Sequence, residues 1–491
     1  MVQSFGIEVP SIGGADVDAG LELLSEPAPW LVSIEDTARL RADLERNIPE
    51  LAEGRLRLTK VKFKRAHVLD GTYVSLCRLT VEDPDGASSH HVDLHGVLVL
   101  PWSDPPADAT TSSGFESLAG WHGYLPDLRW EISLEPHDVA LPAMPSLTDP
   151  GLARTLLEDA LRASGGDLAD VRIARCTPTV MRYREGRRCT IRYELEHDDA
   201  AAAWPTGMIA KVYDGPDEAR HTFDVMTALW DSPLRDSPTV RIARPLAHVP
   251  AQHVLVQGLV PGERSLKEVI KKKAFTNGLE AGVDMLTPLV HRAGRALGEL
   301  HTSGAVMNEI VTWEQQVGAV RAAAADLGSV VPTLAGAIEP LVADLEVLRA
   351  SVGTSPLVPT HRSFRPAQLL VEGDDLALID FDGACMAEPG LDLALFRATL
   401  CDLSLRALED EGPLPAAEQE ACQVRLDELC ATFLDGYREV AEYAEERLAL
   451  WDLLTSAKDV LDVWRKIKFE HLERRMRFLH HKLGRVEPLP G

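Results

Sequence analysis

The sequence predicts an α+β protein with two unlike lobes, one small and β-rich and the other mostly helical, preceded by an extra N-terminal α+β domain. Three observations predict it. Two separate stretches, 56–100 and 180–213, alternate apolar and polar residues with a period of two and turn on glycine-containing dipeptides. Beyond residue 213 the period lengthens to that of amphipathic helices. Within that helical half one segment, 359–396, breaks the pattern with two short apolar runs separated by an acidic turn.

The elements follow in order. Residues 1–50 join a Gly/Asp-rich start to a helical pattern over 34–51. From Leu56, VKFKRAHVLDGTYVSLCRLTVED reads strand, Asp70-Gly71 turn, strand, and HVDLHGVLVLP reads as a third strand. Loop segments 101–113 and 136–150 close this region and place a boundary near residue 150. The division is therefore 1–150, a cap-like domain; 151–260, the small lobe; and 261–491, the helical lobe. In the small lobe VMRYREGRRCTIRYELE is a hairpin around Glu185-Gly186, and MIAKVY is its third strand. KRAHVLDGTYVSLCRLTVED matches MRYREGRRCTIRYELEHD in period and turn position, as a degenerate internal repeat would. Residues 216–230 open with proline and acids, good first-turn chemistry for a helix. Residues 254–258 read as a short strand, and 283–303, 313–348, 391–403 and 415–483 (with breaks) as amphipathic helices.

With 491 residues the chain has room for two or three packed units. A 45% hydrophobic and 26% charged composition is that of a soluble globular protein. The longest apolar runs fall short of a membrane span, and the first residues lack a basic-then-apolar leader, so a cytoplasmic location is expected. Seven scattered cysteines without a C-x-x-C pair read as reduced thiols. The formal charge of −26 argues against a nucleic-acid partner and suits a cationic partner or substrate. One local exception is 465–485, with eight Lys/Arg against two Glu, a solvated helix face or a docking patch. No P-loop, dinucleotide fingerprint, G-x-S-x-G or H-E-x-x-H occurs.

The chemistry concentrates in PTHRSFRPAQLLVEGDDLALIDFDGACMAEPGLDLALF, residues 359–396. A polar loop, a strand, an acidic turn and a second strand lead to Asp380. That is the layout in which a kinase active site holds a metal ion bridging nucleotide phosphates. Such a loop should carry an Asp base and, five residues on, an Asn metal ligand. Ser363 and Gln368 stand in those places. A strand lysine (Lys211), the five-spaced loop and the strand-ending aspartate together resemble the aminoglycoside phosphotransferase, choline kinase and maltokinase group. The matching strings are HRSFRPAQ, IDFD and AEPGLDL, and the resemblance covers roughly residues 170–480.

The resemblance implies a bilobal protein-kinase-like fold, ATP and Mg²⁺ as cofactors, and the following roles. Lys211 contacts nucleotide phosphates, with Glu218 or Asp224 as its helix partner. Gln257 to Leu259 form the hinge that meets adenine through backbone groups. Asp380 and Gln368 hold the metal, with Asp382 adding charge. Asp392 orders the catalytic loop, although an acid in a helix's first turn also serves the dipole. Glu388 stands where the family has Asp. Ser363 is the departure: a hydroxyl without an adjacent base accepts no proton near neutral pH, and a general base is worth about 10²–10⁴ in rate. His361 is the nearby alternative, expected to fix loop shape. The expected function is therefore a Mg-ATP-binding pseudokinase or very slow phosphotransferase that serves as a binding or scaffold partner. The alternative is an active kinase for a hydroxyl of a sugar, an aminoglycoside-like small molecule or a peptide Ser/Thr, using Asp382 or substrate assistance.

Overall fold

Period-two alternation becomes two five-stranded antiparallel sheets. The computed structural model describes residues 14–105, 121–134, 141–197, 204–409 and 415–484, apart from residues 33, 35, 70, 87 and 185. Asp70 and Glu185, read above as turn residues, lie outside the described residues, as do 1–13, 106–113, 136–140 and Arg485. The chain divides into two units: Asp138–Trp313 with Gly353–Asp452, and Met1–His137 with Glu314–Val352 and Leu453–Gly491. This differs from the sequence reading. Residues 314–352 and 453–491, expected in the helical lobe, belong with the N-terminal region, because apolar helix faces report burial without reporting the partner.

In the unit containing residues 1–137, Arg57–Leu69, Thr72–Glu82 and Ser89–Leu98 form a meander, followed in space by Trp130–Leu134 and then His122–Leu125. Its three chain segments interlock. The buried indole of Trp464 donates to the Leu24 carbonyl at 2.9 Å, and the Tyr73 hydroxyl donates to the Trp464 carbonyl at 2.8 Å. Gly20 lies so close to the chain at Ala337 that an added Cβ would stand 2.0 Å from its carbonyl oxygen. The basic stretch near the C-terminus is largely paired within this unit, as Arg475 with Asp459 at 2.7 Å and Lys466 with Asp462 at 2.6 Å. It is a solvated, ion-paired surface.

In the other unit, Ile173–Arg184, Arg188–His197 and Gly207–Tyr213 form a meander, followed by Val254–Gly258 and then Pro245–Val249. Numbered by their order in the chain, the five strands of each sheet lie in the spatial order first, second, third, fifth, fourth. The internal repeat read from pattern is thus a repeat of topology. Pro216–Trp230 forms a helix with the bounds its proline and acids indicate. The expected long helix over 313–348 is two helices, Trp313–Val330 and Glu339–Ser351, interrupted by a turn that contains Pro332. The pattern over 415–483 divides into Ala416–Arg438, Glu445–Arg465 and Leu472–Lys482.

The helical lobe is built on a close pair of helices, Leu279–His301 and Ala416–Arg438. A Cβ on Gly294 would stand 1.9 Å from the Phe433 carbonyl oxygen, and one on Gly436 2.0 Å from that of His291. Only glycine permits this approach. Leu369–Glu372 pairs antiparallel with Asp375–Leu378, which pairs in parallel with Val240–Ile242, a strand the sequence reading did not find. This small sheet fixes where Asp380 emerges.

Candidate active site

Lys211 lies in Gly207–Tyr213, opposite Leu255 of the neighbouring strand and Thr190 of the hairpin. Its period-two neighbour Tyr213 shares its face, and Arg188 pairs with Tyr213 in register. From the helical lobe, Asp380 ends the Asp375–Leu378 run in a left-handed backbone conformation, φ 74° and ψ 57°. Asp382 follows in a short turn. A non-glycine residue held at positive φ is strained, and such strain gathers at functional sites. Arg362, in the polar loop, shares the feature at φ 61° and pairs with Glu309 at 2.7 Å.

These residues meet. The Lys211 ammonium donates to Asp380 Oδ1 at 2.8 Å and to Asp382 Oδ1 at 2.5 Å. Arg188 reaches Asp380 at 3.3 and 3.4 Å and also bonds Asp382. The Tyr213 hydroxyl donates to Asp382 Oδ1 at 3.1 Å, and Gln368 Nε2 donates to Asp380 Oδ2 at 3.0 Å. Two cations thus face two carboxylates. Burial alone would raise the Asp380 carboxyl, but the charges of Lys211 and Arg188 overcome it and hold the group well below the usual carboxylate range. Desolvation pushes the Lys211 ammonium down, opposed by Asp380.

The polar loop is fixed from beneath. Asp392, fully buried in the first turn of Gly390–Leu408, accepts from the His361 amide at 2.6 Å and the Phe364 amide at 3.4 Å. His301 Nε2 lies 3.4 Å from the same carboxylate, and Tyr437 bonds the other ring nitrogen at 2.8 Å. Phe364 packs against Phe396, whose ring stacks on Phe433 at 4.2 Å. Asp392 therefore organises the loop and does more than serve a helix dipole. Glu388 turns away from this loop to a buried ion pair with Arg447, at 2.9 Å from its Nε, and accepts from Trp451 Nε1 at 3.0 Å.

Ser363 lies beside His361, which the sequence reading expected to fix loop shape and which also bonds the serine hydroxyl. His361 Nε2 lies 3.0 Å from the Ile379 carbonyl, which can only accept, so Nε2 carries the ring hydrogen. Nδ1 is then free to accept, and Ser363 Oγ stands 3.0 Å from it. Burial of His361 disfavours its charged form and lowers its pKa. The ring is a neutral acceptor near pH 7.

Another expectation fails. Neither Glu218 nor Asp224 pairs with Lys211: Glu218 is exposed in the first helical turn, and Asp224 pairs with Arg220 at 3.1 Å. Asp380 and Asp382 take that role instead, met by Arg188 from the hairpin turn and by Lys211 from the adjoining third strand. Gln257 is buried in the strand Val254–Gly258, beside that of Lys211, and Leu259 follows this strand, 42% exposed. Arg188 and Tyr213 escaped the sequence reading. Their signal was the period-two spacing from Lys211 and the arginine that closes a hairpin turn.

Among the described residues no group of three or more His, Cys, Asp or Glu side chains is arranged to hold a metal ion. The available oxygen set is two carboxylates and one amide, which suits Mg²⁺ because it takes one or two carboxylates beside substrate phosphates. No helix among the described residues is long and apolar enough to cross a membrane.

A bilobal architecture with a strand lysine facing loop carboxylates defines a kinase-like phosphotransferase fold. The profile of the phosphotransferase enzyme family (APH) matches residues 192–451, more than half of the sequence, and the chain belongs to that family. A search of curated proteins found no match. Among solved structures the chain is similar to a glucosamine kinase in complex with glucosamine, ADP and inorganic phosphate, at 14% identity over 95% of this chain and 99% of that one, TM-score 0.44. It is also similar to a macrolide 2'-phosphotransferase from Brachybacterium faecium, at 17% identity over 69% and 99%, TM-score 0.36. A choline kinase from Cryptosporidium parvum matches at 12% identity over 67% and 94%, TM-score 0.39.

Proposed function

We propose that the protein binds a magnesium–nucleoside triphosphate between Lys211, Gln368, Asp380 and Asp382, and that phosphoryl transfer is absent or very slow. It then works as a nucleotide-gated binding or scaffold partner, for an enzyme or peptide for example. The observation that carries this reading is the convergence of Lys211 and Arg188 on Asp380 and Asp382, with Tyr213 and Gln368 completing the set. Gln257 and Leu259 would meet the base at the end of the adjoining strand. A bound magnesium ion supplies positive charge that offsets charge developing on phosphate oxygens. Arg188, freed from the carboxylates, turns to the phosphates as a planar donor, while Lys211 stays as a point charge. Thermal denaturation with and without Mg-ATP tests this. The expected result is a rise in Tm that is lost in Lys211→Ala and Asp380→Asn; no rise in the native chain overturns it.

A second reading is an active kinase acting on a hydroxyl of a sugar, an aminoglycoside-like molecule or a peptide, and the Ser363–His361 bond favours it. The acceptor hydroxyl passes its hydrogen to Ser363 Oγ as the serine's own hydrogen moves to His361 Nδ1. The acceptor oxygen bonds the γ-phosphorus, and the bond to the leaving ADP oxygen breaks with its electron pair. The cost of charging a buried imidazole makes this relay weaker than a carboxylate. A phosphorylation assay over such acceptors separates the readings: product formation abolished by Ser363→Ala supports the second.

A further inference from the structure

The net charge suggested a cationic substrate, but the surroundings of the site carry the opposite sign. Arg182 and Arg184 lie at the end of the Ile173–Arg184 strand. Arg365 precedes the turn Pro366–Gln368. Against that turn packs the short helix Leu266–Val269, whose Ser265 pairs with Leu370, two residues beyond Gln368. It carries Lys267, and Lys271 lies in the turn that continues it, Ile270–Ala274. Against this second turn packs Gly390–Leu408, which carries Arg406 in its last turn.

Six cations from five elements thus surround the outer side of the polar loop. None of the six has a carboxylate within ion-pair distance among the described residues, in a chain with 76 acidic residues against 50 basic. The carboxylate of the short helix, Glu268, is spent on its own cap: it accepts from the Ser265 amide at 3.0 Å. Arg184 is half-buried; burial first, then the charges of Arg182, Arg188 and Arg365, push it down to about 10 against the opposing charge of Asp380. Lys267 is likewise lowered by burial, then by Lys271, Arg365, Arg406 and Arg182. Arg182 and Arg365 belong to both sets, so the cations run without a break from Asp380 to the short helix. Crowded, partly desolvated like charges repel one another and are relieved by an anion. Arg184, which feels the charge of Asp380, is available to nucleotide phosphates. Arg182, Lys267, Lys271 and Arg406 extend beyond it.

We propose that the second ligand of this site is a hydroxyl-bearing small molecule that carries its own phosphate or carboxylate, held by Arg182, Lys267, Lys271 and Arg406. This rests on the reading of Lys211 and Asp380 as a nucleotide site. Arginine forks suit such anions bidentately, and lysines suit them as point charges.

The test uses the full chain saturated with Mg-AMP-PNP, so that nucleotide phosphates already hold their own contacts. A panel of sugar monophosphates and hexuronic acids is compared with the neutral parent sugars and with amino sugars by thermal shift and titration calorimetry. The expected result is further stabilisation by one or more anionic compounds and none by amino sugars. Lys267→Glu and Arg406→Glu should each weaken that binding by about tenfold or more while changing Mg-AMP-PNP affinity by less than about threefold. Binding only of neutral or amino sugars overturns the proposal. So does an equal loss of nucleotide affinity in both variants, which would assign the cations to the nucleotide. If Mg-AMP-PNP itself fails to bind, the nucleotide reading falls, and the panel is repeated without it. Anion binding that the two substitutions remove then still supports the site, and no anion binding ends it.

Discussion

Ser363 sits 3.0 Å from an imidazole whose only free lone pair points at it, yet burial keeps that imidazole a reluctant base. A carboxylate at the same position would accept a proton without creating a buried charge from nothing. Ser363→Asp is therefore expected to raise turnover, or create it, by up to about 10². A fast native enzyme that the substitution slows would instead favour the serine–histidine relay. The same ring sets an acid limb of stability. His361 is neutral when folded and has an ordinary pKa of 6.5 when unfolded, so the unfolded chain binds the extra proton and stability falls as pH drops below 6.5. Asp380 adds a second loss below 3.8, where the unfolded carboxyl protonates before the folded one. Unfolding free energies from urea titrations should fall from pH 7 to 5 with a slope of up to about 1.4 kcal/mol per pH unit, and His361→Gln should flatten that slope. At this scale Lys211, Gln368, Asp380 and Asp392 were legible because each sits at a fixed offset in a local pattern. Arg188 was not: its partners lie 192 and 194 residues away.

The ends and turns of elements hold the site, and buried polar pairs hold the elements. Glu388 precedes the helix that carries Asp392, and Arg447 lies in Glu445–Arg465, over the Trp313 ring at 5.4 Å. Both partners are buried. Replacing a buried pair with apolar groups can be neutral, but removing one partner strands the other charge at a cost of about 3–5 kcal/mol. Glu388→Ala should therefore lower Tm by roughly 10 °C, while Glu388→Ala with Arg447→Met recovers much of it. A double variant as unstable as the single one would show that the pair contributes more than mutual neutralisation. The periodicities gave the helix Pro216–Trp230 and the strand Val254–Gly258 to the residue. They missed Val240–Ile242, since three residues with one polar position carry no readable period and are a strand only because Leu376–Leu378 lies beside them.

At the scale of the whole chain, the sequence reading ends a cap-like domain near residue 150, whereas the folded unit that holds residues 1–137 also takes in 314–352 and 453–491. The core around Trp464 draws Leu24 and Tyr73 from the N-terminal segment, and Gly20 is pressed against Ala337 of the middle one. Sequence could not show this, because hydrophobic patterning identifies a buried face without naming the segment that covers it. Removing the first 137 residues therefore does not excise a domain; it uncovers the apolar faces of 314–352 and 453–491. A chain of residues 138–491 is expected to be insoluble, or to bind a hydrophobic dye strongly and unfold without a cooperative transition. A monomeric, cooperatively unfolding 138–491 fragment with native nucleotide affinity would mean that the helices of 314–352 and 453–491 find sufficient cover without the N-terminal sheet.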